Sequence, residues 1–220
     1  MHPLDGPART LFFEYIANIL YALVLRKTST RVLTLLTLVA AAVLIQYAVS
    51  SSNGDMIGGW SVTPEQLRIG FTRLSYPFLA GLLLSRVVRT GNLGNTFIWC
   101  SLLLIVMLSL PRIGGSDKEL LGMNGLHEAL CIILVFPFIV YLGASGSVKN
   151  KTVETVCRFL GDISYPVYII HYPFAYIFMA CVVNKHKTFA EAWPAGLLVL
   201  VSSVTLAYVC LRMYDLPVRK

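Results

Sequence analysis

The 220-residue chain is 56% hydrophobic and only 13% charged, with a mean hydropathy of +0.71. A soluble domain keeps roughly a quarter of its residues charged to hold its surface in water, so about half that share excludes an ordinary soluble enzyme and points to lipid as the solvent. The net charge of +7, from 18 basic against 11 acidic residues, lies in short connections between apolar runs, where the positive-inside rule places it, and is not the footprint of a nucleic-acid binder.

In chain order, the first apolar segment is Thr10–Leu25, which carries Glu14. Val32–Gly54 follows without a charge, and then Leu67–Ser85 with Arg68 and Arg73. Four further charge-free runs come after it: Thr90–Pro111, Ala129–Val148, Ile163–Asn184 and Ala192–Leu211. Each charge-free run has about 20 residues or more, enough to cross a hydrocarbon core of ~30 Å at 1.5 Å per residue. The expectation is an all-α polytopic transmembrane bundle of about seven spans, forming a single membrane domain over residues 1–220.

Orientation follows from the connections. One alternate set, with the C-terminus, holds Arg26, Lys27, Arg31, Arg86, Arg89, Lys149, Lys151, Arg158, Arg212, Arg219 and Lys220. The other, with the N-terminus, holds Arg9, Arg68, Arg73, Arg112, Lys118, Lys185 and Lys187. The first set is the cytoplasmic one, which leaves the N-terminus outside. Outer loops Ser50–Gln66 and Arg112–His127, rich in Gly, Ser and Asn, suit turns framing the mouth of a site. Asn150–Leu160 has the spacing of a helix lying flat at the inner interface.

The N-terminus shows neither the basic n-region nor the cleavage site of a signal peptide. Trp60, Trp99 and Trp193 fall near predicted interfaces and read as belt anchors, and Arg86 and Arg89 as residues snorkelling to headgroups. Cys100, Cys131, Cys157, Cys181 and Cys210 are widely spaced within largely apolar segments, a pattern of small core hydrophobes and not of a metal site or disulfide framework.

A charge inside a span costs roughly 2.5–3.5 kcal/mol on the insertion scale, so each needs a partner or a purpose. Glu14 and Arg73 both fall within ~10 Å of the outer boundary at 1.5 Å per residue. They either form an ion pair locking two helices or line one water-filled cavity. Asn18 is four residues from Glu14 and shares its face. His171 lies near the midplane of its run, among Tyr165, Tyr168, Tyr172 and Tyr176 at three- and four-residue spacing. It is either a hydrogen-bonded core histidine, with Ser164 and Tyr168 as partners, or part of a site. Pro166 and Pro173 bracket it; each removes a backbone donor and favours a kink, which is tolerated where a helix faces protein or a cavity. The residues alone describe a membrane protein with a polar outer cavity and name no reaction.

Three stretches carry a resemblance. Leu11-Phe12-Phe13-Glu14-Tyr15-Ile16-Ala17-Asn18-Ile19-Leu20-Tyr21 resembles a W-S-L-x-x-E-x-x-x-x-x-Y helix, with Arg9-Thr10 where that pattern has Trp-Ser. The stretch from Gly70-Phe71-Thr72-Arg73 through Phe78, Gly81 and Leu83 resembles G-F-x-R-x-x-x-x-F-x-x-G-x-L. Leu160-Gly161-Asp162-Ile163-Ser164-Tyr165-Pro166-Val167-Tyr168-Ile169-Ile170-His171-Tyr172-Pro173 resembles L-G-x-x-S-Y-x-x-Y-x-x-H-x-P, and Tyr214-Asp215-Leu216-Pro217-Val218-Arg219 the tail that closes such sequences. Together they resemble the acyltransferase-3 family of integral membrane acyltransferases.

The resemblance implies a ten-span fold of the bacterial inner membrane, of which this chain would supply the C-terminal portion. It also implies transfer of an acyl group, acetyl in particular, from acyl-CoA to a hydroxyl of a cell-envelope or exported glycan. No metal or other cofactor is implied, and the partners are the bilayer, the acyl-CoA and the acceptor. Glu14, Arg73 and His171 would be the catalytic residues, and Asn18, Tyr165 and Tyr168 would bind substrate. The family's catalytic histidine, with a basic residue about ten positions before it, has no counterpart in this sequence, nor has the R-x-x-R of its first cytoplasmic loop. The competing reading is a transporter or flippase of a glycan or lipid-linked precursor, in which the same charges line a path.

Overall fold

A computed structural model describes residues 6–51, 56, 58–59, 61, 63–89, 91, 93–110, 121–148 and 150–218. The chain is all-α: α1 Gly6–Leu23, α2 Thr30–Ser50, α3 Pro64–Val87, α4 Thr96–Ser109, α5 Leu121–Leu130, α6 Phe136–Ser145, α7 Lys151–Asn184, α8 Phe189–Cys210 and α9 Leu216–Val218. No strand occurs among the described residues; an isolated bridge joins Leu93 to Gly146.

Each of the seven predicted spans meets a helix, but among the described residues the number of helices long and apolar enough to cross a membrane is four. These are Thr30–Ser50, Gly122–Ser145, Lys151–Asn184 and Phe189–Val218. The shortfall has local causes. Asn95 takes the left-handed conformation at φ 57° and delays the start of α4, leaving 14 residues, or about 21 Å at 1.5 Å per residue. Thr10–Leu23 is also short. In α3, Glu65, Arg68, Arg73 and Arg86 dilute the apolar content of 24 residues.

The chain divides into two compact units, one of Phe13–Lys149 and one of Met1–Phe12 with Asn150–Lys220. In the first, α2 packs on α3 and α5, and α6 on α3 and α4. The buried residues of α2 are Leu33, Thr37, Ala40, Leu44 and Ala48, a single stripe at three- and four-residue spacing. Val32, Leu35, Leu38, Val39 and Val43 on its other faces are exposed, the arrangement of a helix bathed in lipid. The core joins Ala40, Leu44 and Ala48 to Met56, Tyr76, Ala80 and Ala129. At Gly125 of α5, a Cβ atom would collide with the backbone carbonyl of Ala48, so the missing side chain is what lets the two helices approach.

Two turns of π-helix interrupt the long spans, at Cys131–Val135 and at Leu211–Asp215. Each ends two residues before a proline, Pro137 and Pro217 respectively. Proline has no amide hydrogen for the carbonyl four residues earlier, and the wider turn shifts the hydrogen-bond ladder to five-residue closures, Phe136 to Cys131 and Leu216 to Leu211.

In the second unit, α7 packs on α8. Ala192, Ser203 and Ala207 of α8 are buried, small residues that permit close contact. The segment Asn150–Leu160 is not a separate interfacial helix. It forms the start of one 34-residue helix running through Pro166 and Pro173. Asn150 caps that helix, its side chain accepting from Thr152 N at 2.8 Å, and the pair Glu154–Arg158 at 3.0 Å stabilises its first turns.

Arg86 does more than snorkel. Its Nη1 donates to the Thr28 carbonyl at 2.6 Å and its Nη2 to the Leu25 carbonyl at 2.9 Å, stapling the short 3₁₀ turn Leu25–Lys27 to the end of α3. Trp99 and Trp193 are more than half exposed, as belt residues are; Trp60 lies outside the described residues, as does most of the loop 112–127.

Candidate functional site

In the first unit, α1 meets α3 at a glycine. The Phe13 ring lies where a Cβ of Gly70 would stand, and it meets the Phe71 ring edge-on, centroids 5.1 Å apart. Glu14 follows Phe13 directly, and Arg73 lies one turn beyond Gly70, so the two ionisable residues flank this contact. They are not paired. Glu14 and Asn18 are exposed, and Arg73 Nη1 donates instead to the carbonyl of Gly58 at 2.6 Å. The ion-pair reading of these two charges therefore gives way to a backbone partner for the arginine.

That carbonyl belongs to a short segment laid over the start of α3. Gly58 and Gly59 have φ of 152° and 86°, values open to glycine without strain. A Cβ on Gly59 would be 3.0 Å from the Cα of Gly70, so the segment rests on the α3 backbone. Gly59 N donates to Gln66 Oε1 at 2.8 Å, and Met56 N donates to Glu128 Oε2 at 3.1 Å. Met56 is buried in the core cluster.

Gln66, Glu128 and the buried Asn124 are polar residues the sequence reading did not single out. Glu128 stands one residue before the charge-free run Ala129–Val148 and lies inside α5. The spacing Asn124, Glu128, Cys131 is the signal that could have found it, a polar stripe at i, i+4 and i+7 on one helical face. His127 Nε2 lies 3.7 Å from Cys131 Sγ.

In the second unit, α7 presents a face of tyrosines and one imidazole. His171 Nδ1 is 2.9 Å from the carbonyl of Val167, so its partner is its own helix backbone, while Ser164 donates to Gly161 O at 2.7 Å. A carbonyl only accepts, which places the proton on Nδ1 and leaves Nε2 as the basic nitrogen of the neutral ring. Ring centroids run Tyr168–His171 6.2 Å, His171–Tyr172 6.4 Å and Tyr172–Tyr176 6.4 Å. Tyr165 and Tyr168 are exposed and His171 is half-buried. Among the described residues no three of His, Cys, Asp and Glu come together as metal ligands, and the five cysteines are free thiols.

No curated protein and no solved structure is matched by the chain. A family model described as an acyltransferase domain matches residues 3–212, nearly the whole sequence and every segment on which Glu14, Arg73 and His171 stand. With its long apolar helices, the chain therefore belongs to the acyltransferase-3 family of membrane acyltransferases.

Proposed function

We propose that this chain transfers an acyl group, acetyl in our reading, from acyl-CoA to a hydroxyl of a cell-envelope or exported glycan, at the bacterial inner membrane. The observation that carries the reading is the family match over residues 3–212. It is supported by ionisable side chains kept within apolar helices, where each is costly without a purpose.

In the reaction, the acceptor oxygen bonds to the acyl carbon, the carbon–sulfur bond breaks, and the hydroxyl proton ends on the departing CoA thiol. Arg73 stabilises the negative charge that develops on the thioester carbonyl oxygen. One N–H of its guanidinium serves Gly58, out of the five that the fork carries. Glu14, with Asn18 on the same face, holds the acceptor. In the second unit, His171 is assigned a catalytic part through its Nε2, a hydrogen-bond or proton acceptor, with Tyr165 and Tyr168 as substrate-binding residues on the same helix.

The test is transfer of label from acetyl-CoA to envelope glycan in membranes that contain the chain. Labelled glycan with the wild-type chain and none with R73A supports the proposal. Movement of glycan or lipid-linked precursor across proteoliposomes without label transfer overturns it in favour of a transporter.

A further inference from the structure

We infer that Gln66 and Glu128 are positioning residues for Arg73, acting through the backbone around Gly58. The inference rests on the role proposed above for Arg73. A guanidinium that stabilises transient negative charge must keep its own charge and its direction. A carboxylate partner would fix its direction but neutralise it, whereas a peptide carbonyl fixes direction and leaves the charge intact. Gly58 provides the carbonyl, at 2.6 Å.

A carbonyl on a loop orients nothing unless the loop is itself held. Here the grip comes from two helices. Gln66 lies seven residues before Arg73, two turns away on the same face of α3, and holds the amide of Gly59, the residue next to Gly58, at 2.8 Å. Glu128 reaches from α5 to the Met56 amide at 3.1 Å, a charge-assisted bond to backbone. The contact between Gly59 and Gly70 sets the height of the segment above α3, and buried Met56 anchors its other end. Neither Gln66 nor Glu128 is needed at the reacting atoms for the effect; each sets where the Gly58 oxygen lies, and that oxygen sets where Arg73 points.

The test is a double-mutant cycle on the full chain in membranes. Q66L and E128L are each combined with R73K, which keeps the charge but loses the planar fork. With wild-type Arg73, each substitution is expected to lower kcat about tenfold while KM for acyl-CoA holds within about twofold. In the R73K background each has less than about a twofold effect, because the direction it protected is already lost. E128Q, which retains an acceptor oxygen, restores most of the rate. Backbone hydrogen exchange at Gly59 rises in Q66L while the helices keep their protection. Additive losses in the cycle, or losses that track the amount of folded protein, overturn the assignment. Transfer that depends on Arg73 but ignores Q66L and E128L overturns it alone; a wild-type chain with no transfer activity overturns the proposed function and this assignment with it.

Discussion

Tyr76 on α3 donates its hydroxyl hydrogen to the carbonyl of Ile133 at 2.7 Å, and Pro137 explains why that carbonyl is open to it. Four residues after Ile133, the proline offers no amide hydrogen, and a side chain from a neighbouring helix supplies one. Y76F is predicted to lower stability by about 1 kcal/mol, read as a lower denaturant midpoint in micelles. In a P137A background the cost of Y76F should shrink, since the restored amide competes for the same oxygen.

Gly125 faces the Ala48 carbonyl so closely that a Cβ cannot be added without moving one backbone against another. G125A is predicted to destabilise the first unit by about 1–3 kcal/mol, more than G122A, whose added atom would meet the Val49 carbonyl at an ordinary 3.6 Å. Thermal unfolding of the two variants side by side checks the order.

The runs that became α2, α7 and α8 were legible because the bilayer sets the length of a charge-free stretch, and the sequence meets that length. The ends were not legible. Asn95 delays α4 through a backbone angle, and α5 begins well before Ala129, so Asn124, within the expected loop Arg112–His127, is helical. The partners of Arg73 and Arg86 were hidden for a different reason. Both arginines bind backbone carbonyls, Gly58 and the pair Leu25 and Thr28, and every residue type offers the same carbonyl. A reading that seeks an acid for each base has nothing to find there.

Arg86 contacts two carbonyls with two nitrogens, a geometry the guanidinium fork suits and a lysine does not. R86Q is predicted to cost about 1–2 kcal/mol and to expose the turn Leu25–Lys27 to trypsin, with R86K intermediate. Unchanged proteolysis between α1 and α2 in R86Q would count against the staple.

For His171, the bond to Val167 fixes the tautomer, so nitrogen-15 spectra of the labelled chain should show hydrogen on Nδ1 at neutral pH. H171N, whose amide can still reach the Val167 carbonyl, should fold as the wild type does and lose about 10²–10⁴-fold in acyl transfer. Retained transfer in H171N would assign His171 to packing.

The paired π turns bear on how these helices are numbered into faces. Each inserts one residue into the winding, so side chains after Val135 and after Asp215 are turned by about 100° relative to a continuous α-helix. A helical wheel drawn through Gly122–Ser145 as one object therefore sorts its second half onto the wrong sides. Deleting a single residue within Cys131–Val135 would close the wide turn to an ordinary one and leave Phe136, Phe138 and Tyr141 facing the neighbours they now have, whereas the same deletion within Thr30–Ser50 would swing every later side chain of that helix by about 100°.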